Sequence, residues 1–358
     1  MIRLFAFLAL ISLNTIAFAV DMNNVLTHKG EGGANPDYGK KIKNLMIFHP
    51  TSAKWWYEQV PERPDEVWSS TWPLNWGKGP ATYSSPSDQG YMFRNKDVYL
   101  KQMEEIQGLG GHTAVAAFLI PNDEAGWGYG SYWTPTGQWK RPMELYDEVR
   151  WAAWQKGVQV APFLSFNDYL KKGPESILPE LKKMVDFVMQ RVDAVSVKTT
   201  DGKVVILIEG LPPVNGLEDR PDLIAQINQY LASRTDILWI DNLANSCPTA
   251  APNIYRSAAV SDMSGTIQES LKNICGGRYL WHFTNRHVPR TNKTPSGLEY
   301  IPMDVQQRWL NIVPHDPNMY PVIISQWNEY SEWKMFEPSE YDGDSEYNYL
   351  KWRMTQQP

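Results

Sequence analysis

The residues best suited to chemistry lie near the end of this 358-residue chain. They fall in Pro321-Val-Ile-Ile-Ser-Gln-Trp-Asn-Glu-Tyr-Ser-Glu-Trp333, followed by Phe336-Glu-Pro-Ser339 and Asp342-Gly343. An apolar run of strand character ends in two carboxylates, Glu329 and Glu332, bracketed by Trp327 and Trp333. Side chains alternate faces along a strand, so acids three apart on one would point opposite ways. On a helical turn or in a tight loop the same spacing sets them side by side. The spacing therefore predicts that the strand stops near Trp327 and that both acids share one site. Two acids and two indoles at the mouth of a buried strand suit hydrolysis of a sugar linkage. The carboxyls move protons or stabilise positive charge, and the indoles hold the ring.

Such a pair needs a scaffold, and the chain reads as one of alternating strands and helices. Strands are expected at Leu45–Phe48, Thr113–Ile120, Val158–Leu164, Val204–Ile208, Ile237–Ile240, Ser257–Val260, Tyr279–Phe283 and Val322–Gln326. These runs are short, apolar throughout and bounded by turn residues, as strands buried on both faces are. Helices are expected from Lys96 to about Leu109, from Pro142 to before Gly157, and at Pro179–Val192, Pro221–Ala232, Ile267–Lys272, Val305–Ile312 and Tyr347–Met354. Such alternation implies parallel strands joined by right-handed crossovers. Eight strands favour a single (β/α)8 TIM barrel over an open sheet, with residues 20–358 as one catalytic domain. The aromatic-rich stretch from Trp55 to Tyr91 reads as an insertion over the C-terminal face.

Active sites in such barrels are built at the C-terminal strand ends. There the sequence sets His49, then Asn122 and Asp123, Asn167 and Asp168, Glu209, Asp241 and Asn242, His282, and Asn328. Each sugar hydroxyl needs a donor and an acceptor, which this mixture supplies. Asp and Asn also cap helices and make turns, an equal reading for Asp123 and Asp168. Glu209 has no such role and directly follows an apolar strand. The chain has 16 Trp, with Trp55 and Trp56 adjacent. Aromatic staples within long loops would account for any one of them; together they favour a stacking platform. The expected substrate-binding set is Trp55, Trp56, Asn122, Asp123, Asn167, Asp168, Glu209, Asp241, Asn242, His282, Trp327, Asn328 and Trp333.

Residues 1–19 read as a secretory signal. Arg3 precedes an apolar core from Leu4 to Ile11, and Ala17-Phe18-Ala19 is a small-x-small cleavage site. That run is too short to span a bilayer. A secreted or periplasmic monomer without membrane insertion is expected. In such a compartment Cys247 and Cys275 are disulfide candidates, two buried thiols being the alternative. A formal net charge of −6 offers no basic stripe for nucleic acid. No His-Glu-x-x-His spacing occurs, and the acids of Asp342-Gly-Asp-Ser-Glu346 read as a solvated loop before a calcium site. No metal or cofactor is expected; the partner is a polysaccharide or oligosaccharide.

At Trp327-Asn-Glu-Tyr-Ser-Glu332, with Glu337-Pro338 and Asp342-Gly343 behind it, the sequence resembles glycoside hydrolase family 99, the endo-α-mannosidases and endo-mannanases. A more distant likeness is to the family 71 α-1,3-glucanases. The resemblance covers about fifteen residues. It implies an exported (β/α)8 barrel that cuts an α-linked polysaccharide internally with retention. It also implies that Glu329 is a base on the sugar 2-hydroxyl and Glu332 the acid, then base, at the glycosidic oxygen. Tyr330, Ser331 and Trp333 depart from the family pattern of Trp, His and Gly, so the chemistry is expected to be kept more faithfully than the substrate.

Two other readings stand beside this one. An Asn-Glu pair marks the acid/base of the large clan of retaining β-glycosidases, but there it follows the fourth strand. A non-catalytic carbohydrate-binding barrel would use the same aromatic residues without turnover.

Overall fold

Runs apolar on both faces become the inner wall of the molecule. The computed structural model describes residues 26–27, 42–50, 96–110, 113–119, 121, 132–133, 139–140, 142–166, 173–199, 201–211, 217, 219–241, 252–259, 279–283, 286–287, 299–300, 322–324, 327–329, 334–338 and 343–355. Its main strands are β1 (Asn44–Phe48), β2 (Thr113–Leu119), β3 (Val160–Ser165), β4 (Val204–Glu209), β5 (Ile237–Asp241), β6 (Ile254–Ala259), β7 (Tyr279–Phe283) and β8 (Val322–Ile324). The described helices are α1 (Lys96–Gly108), α2 (Pro142–Lys156), α3 (Ile177–Met189), α4 (Pro221–Ser233) and α5 (Ser345–Thr355).

The fold is α/β, with a curled parallel sheet. Parallel pairing runs from β1 through β2, β3, β4, β5, β6 and β7 to β8. β8 in turn pairs with β1, Val322 opposite Asn44 and Ile324 opposite Met46. Two apolar layers follow from strand alternation. Leu45, Ile47, Ala116, Phe163, Leu207, Ile240, Leu280 and Ile323 pack together on the concave side. Met46, Phe48, Val115, Leu164, Ile206, Trp239 and Ile324 face the other way, against Met103, Val149, Leu181, Leu231 and Leu350 of the helices. Burial on both sides is what makes these strands uniformly apolar.

The element boundaries differ from expectation for local reasons. β3 begins at Val160 because the Val158 N–H is spent closing α2, on the Ala153 carbonyl at 2.8 Å. The Gly157 N–H bonds Trp154 O, and Gly157 has φ +66°, which completes a Schellman ending. α3 begins at Ile177, ahead of Pro179, since proline is tolerated anywhere in the first helical turn, where N–H groups lack partners. β6 begins at Ile254, where Ile254 and Tyr255 pair with Trp239 and Ile240. The helices expected at Ile267–Lys272 and Val305–Ile312, and the segment from Trp55 to Tyr91, lie outside the described residues. No described helix is long and apolar enough to cross a membrane.

Candidate active site

The concave layer becomes polar at the C-terminal ends of its strands. Ser165 and Glu209 follow Phe163 and Leu207 at two-residue intervals, so they point to the same side. The two are register partners across β3 and β4, and Ser165 Oγ donates to Glu209 Oε1 at 2.7 Å. The Phe166 N–H bonds the Glu209 carbonyl at 3.0 Å, and Gly210, at φ +72°, turns the chain immediately beyond. Glu209 is buried, with a hydroxyl as donor, at the end of an apolar strand. His282 has the alternation of Leu280 and lies on the same concave side of β7, also buried. The His49 ring lies 4.4 Å from that of Phe118, which meets Phe163 edge-on at 5.3 Å. Asp241 alternates with Ile237 and Trp239, and Trp239 bonds the α4 carbonyl of Leu231 through its indole N–H. This parity puts Asp241 on the helix side of β5, away from Glu209.

Beyond β8 the backbone stays on β1 for one further contact, from the Trp327 N–H to Ile47 O at 2.8 Å. It then enters a hairpin of β9 (Asn328–Glu329) and β10 (Lys334–Met335), with Asn328 opposite Met335 and Glu329 opposite Lys334. Residues 330–333, Glu332 and Trp333 among them, connect the two strands and lie outside the described residues, as does the Glu329 side chain. Among the described residues β8 ends at Ile324, and Glu329 stands on the short antiparallel strand β9.

Trp327 corrects an expectation. In place of stacking on a sugar, it is 0% exposed and part of the helix-side core. Its ring meets Tyr347 of α5 edge-on at 6.3 Å. The Tyr347 hydroxyl reaches back to Glu105 O of α1 at 3.1 Å, in space left by Gly108, where a Cβ would stand 2.7 Å from that oxygen. Burial raises the Tyr347 phenol above its ordinary value, which keeps it a proton donor.

Asn328 acts through the backbone. Its Oδ1 accepts the His49 N–H and its Nδ2 donates to the His49 carbonyl, both at 2.8 Å. The amide thereby takes the place of a further ladder residue and ties the hairpin to β1. The other strand is held by Glu337, 2% exposed, whose Oε1 accepts from Gln102 Nε2 at 3.0 Å. Neither Gln102 nor Glu337 has a sequence signal that marks this role. Trp55, Trp56, Asn122, Asp123, Asn167, Asp168, Asn242, Cys247 and Cys275 lie outside the described residues. Among the described residues no cluster of three His, Cys, Asp or Glu is arranged to hold a metal ion.

No family model and no curated protein matches the chain. Among solved structures the fold is similar to that of a GH99 endo-α-mannosidase from Bacteroides thetaiotaomicron. The two are 10% identical, the match covers 88% of this chain and 97% of that one, and the TM-score is 0.54. A GH29 α-L-fucosidase from the same organism matches at 11% identity over 87% of this chain and 72% of that one, with a TM-score of 0.42. At such identities the likeness to the endo-α-mannosidase is one of fold: this α/β architecture is shared with a glycoside hydrolase.

Proposed function

We propose that the chain is a secreted glycoside hydrolase with a single (β/α)8 barrel, an endo-acting and retaining relative of family 99. Glu332 is the general acid, then base, at the glycosidic oxygen, and Glu329 is the base on the neighbouring 2-hydroxyl. The substrate is an α-linked polysaccharide or oligosaccharide. The observation that carries this reading is the position of Asn328–Glu329. It follows the eighth parallel strand on a hairpin tied to the end of β1, beside a concave face that becomes polar at its C-terminal rim. This position also speaks against the β-glycosidase reading, which needs Asn-Glu after the fourth strand. There the chain has Glu209 preceded by Ile208. Glu209, His282 and Ser165 supply acceptors and donors for ring hydroxyls at the same rim.

The test is a screen of purified protein against α-mannan, α-1,3-glucan and a panel of other polysaccharides. Linkage analysis of the products and NMR of the newly formed anomer complete it. Internal cleavage with the anomer retained is expected. Glycan binding without released reducing ends over long incubation would instead favour a carbohydrate-binding barrel. Release with inverted configuration would remove the assignment to Glu329 and point to an activated water.

A further inference from the structure

We infer that Gln102 and Glu337 form a positioning clamp that fixes the hairpin bearing Glu329 and Glu332; the inference rests on the proposed roles of those acids. A hairpin of two-residue strands does not hold its own shape in water. Its first strand is fixed by the Asn328 bracket on His49. The return strand has a different anchor. The Phe336 and Glu337 N–H groups both reach the Trp327 carbonyl, at 3.1 and 3.0 Å, and the Glu337 side chain accepts from Gln102 of α1. Gln102 and Glu337 are 1% and 2% exposed. Burying polar groups is unfavourable unless they are paired, and an apolar contact would have filled the space without that cost. A directional bond, by contrast, fixes register as well as proximity. α1 is itself held at the same rim, where the Tyr99 hydroxyl donates to Pro50 O at 2.8 Å, just past the end of β1. The two strands of the hairpin are thus referenced to β1 directly and through α1. The clamp fixes the return strand against α1 and the Trp327 carbonyl, and so acts on the two acids by position.

The test is hydrogen exchange read by mass spectrometry on the full chain, with Gln102→Leu, Glu337→Leu and Glu337→Gln. The two leucine variants are expected to raise exchange in peptides covering 327–338 at least about tenfold, with β2, β3 and β4 unchanged. Glu337→Gln, which keeps an acceptor oxygen for Gln102, is expected to restore protection. If Glu337→Leu does not fold, the double variant Gln102→Leu, Glu337→Met removes both polar groups together and is expected to show the same local loss. Unchanged exchange in 327–338, or a rise shared equally by the whole sheet, would overturn the clamp. With soluble α-mannan as probe, Gln102→Leu is expected to lower kcat by about tenfold to a hundredfold with KM within about twofold. A raised KM at unchanged kcat would contradict a positioning role. If wild-type protein releases nothing from α-mannan, the catalytic reading of Glu329 and Glu332 fails for that substrate and the exchange result decides the clamp by itself.

Discussion

Asn328 shows how a side chain can continue a β-ladder after the ladder has ended. Both polar ends of its amide bond the His49 backbone, which fixes the chain directly before Glu329. Asn328→Ala should cost about 1–3 kcal/mol, because two part-buried hydrogen bonds are lost and the backbone groups of His49 are left to find other partners. Chemical denaturation measures that loss. Ser165→Ala should cost less, about 0.5–1.5 kcal/mol, since one hydroxyl donor to Glu209 is removed. If Glu209 binds a sugar hydroxyl, the same change should weaken glycan binding more than it weakens the fold. The strand-end position of Glu209 was legible in the sequence, as an acid with no turn role straight after an apolar strand, and it lies on the concave rim. Asp241 looked similar and falls on the opposite face. A strand buried on both sides gives no polar-apolar alternation to say which face is inside, so parity was unreadable there.

At the scale of elements, the hairpin depends on what lies behind it. Trp327, Tyr347, Gly108 and Glu105 link the end of β8 to α5 and α1. Trp327→Ala should destabilise the chain by roughly 3–5 kcal/mol, the usual cost of deleting a large buried aromatic, and thermal melts would register it at once. A stacking residue at the surface would cost far less, so a change under about 1 kcal/mol would put the indole in the cleft after all. Gly157→Ala should cost about 1 kcal/mol or more, because φ +66° is open to glycine and strained for alanine. Among the described residues, strands and helices were readable from run length and from the Pro and Gly residues at their ends. The edge of β3 shifted because a single backbone group had another duty, the Val158 N–H closing α2. The burial of Trp327 was not readable: three residues beyond Ile324 a regular strand would turn it to the opposite face, yet both lie in the same core layer.

For the whole molecule, charge acts at the periphery of the sheet. The Arg234 guanidinium bonds Asp236 and holds its carboxyl below the ordinary range, and Thr199 with Lys203 does the same for Asp201. A carboxyl depressed in the folded state binds its proton more readily in the unfolded chain. Its stabilisation is therefore complete above the unfolded value near pH 4 and is lost as pH falls through the lower folded value. Both side chains are more than half exposed, so water screens them and each is worth well under 1 kcal/mol. Asp201→Asn with Asp236→Asn should lower stability by a few tenths of a kcal/mol at pH 7 and match wild type at about pH 2. Thermal melts at the two pH values check this; a difference that grew toward low pH would reverse the sign of the argument.

The central claim is that Glu332, carried on the hairpin beyond β8, donates a proton to the glycosidic oxygen. Its most direct test is the rate of reducing-end release by correctly folded Glu332→Gln from the polysaccharide that wild-type protein cleaves. The rate should fall by about a hundredfold to ten-thousandfold, with glycan binding nearly intact. A variant that folds, binds and cleaves at the wild-type rate would contradict the claim.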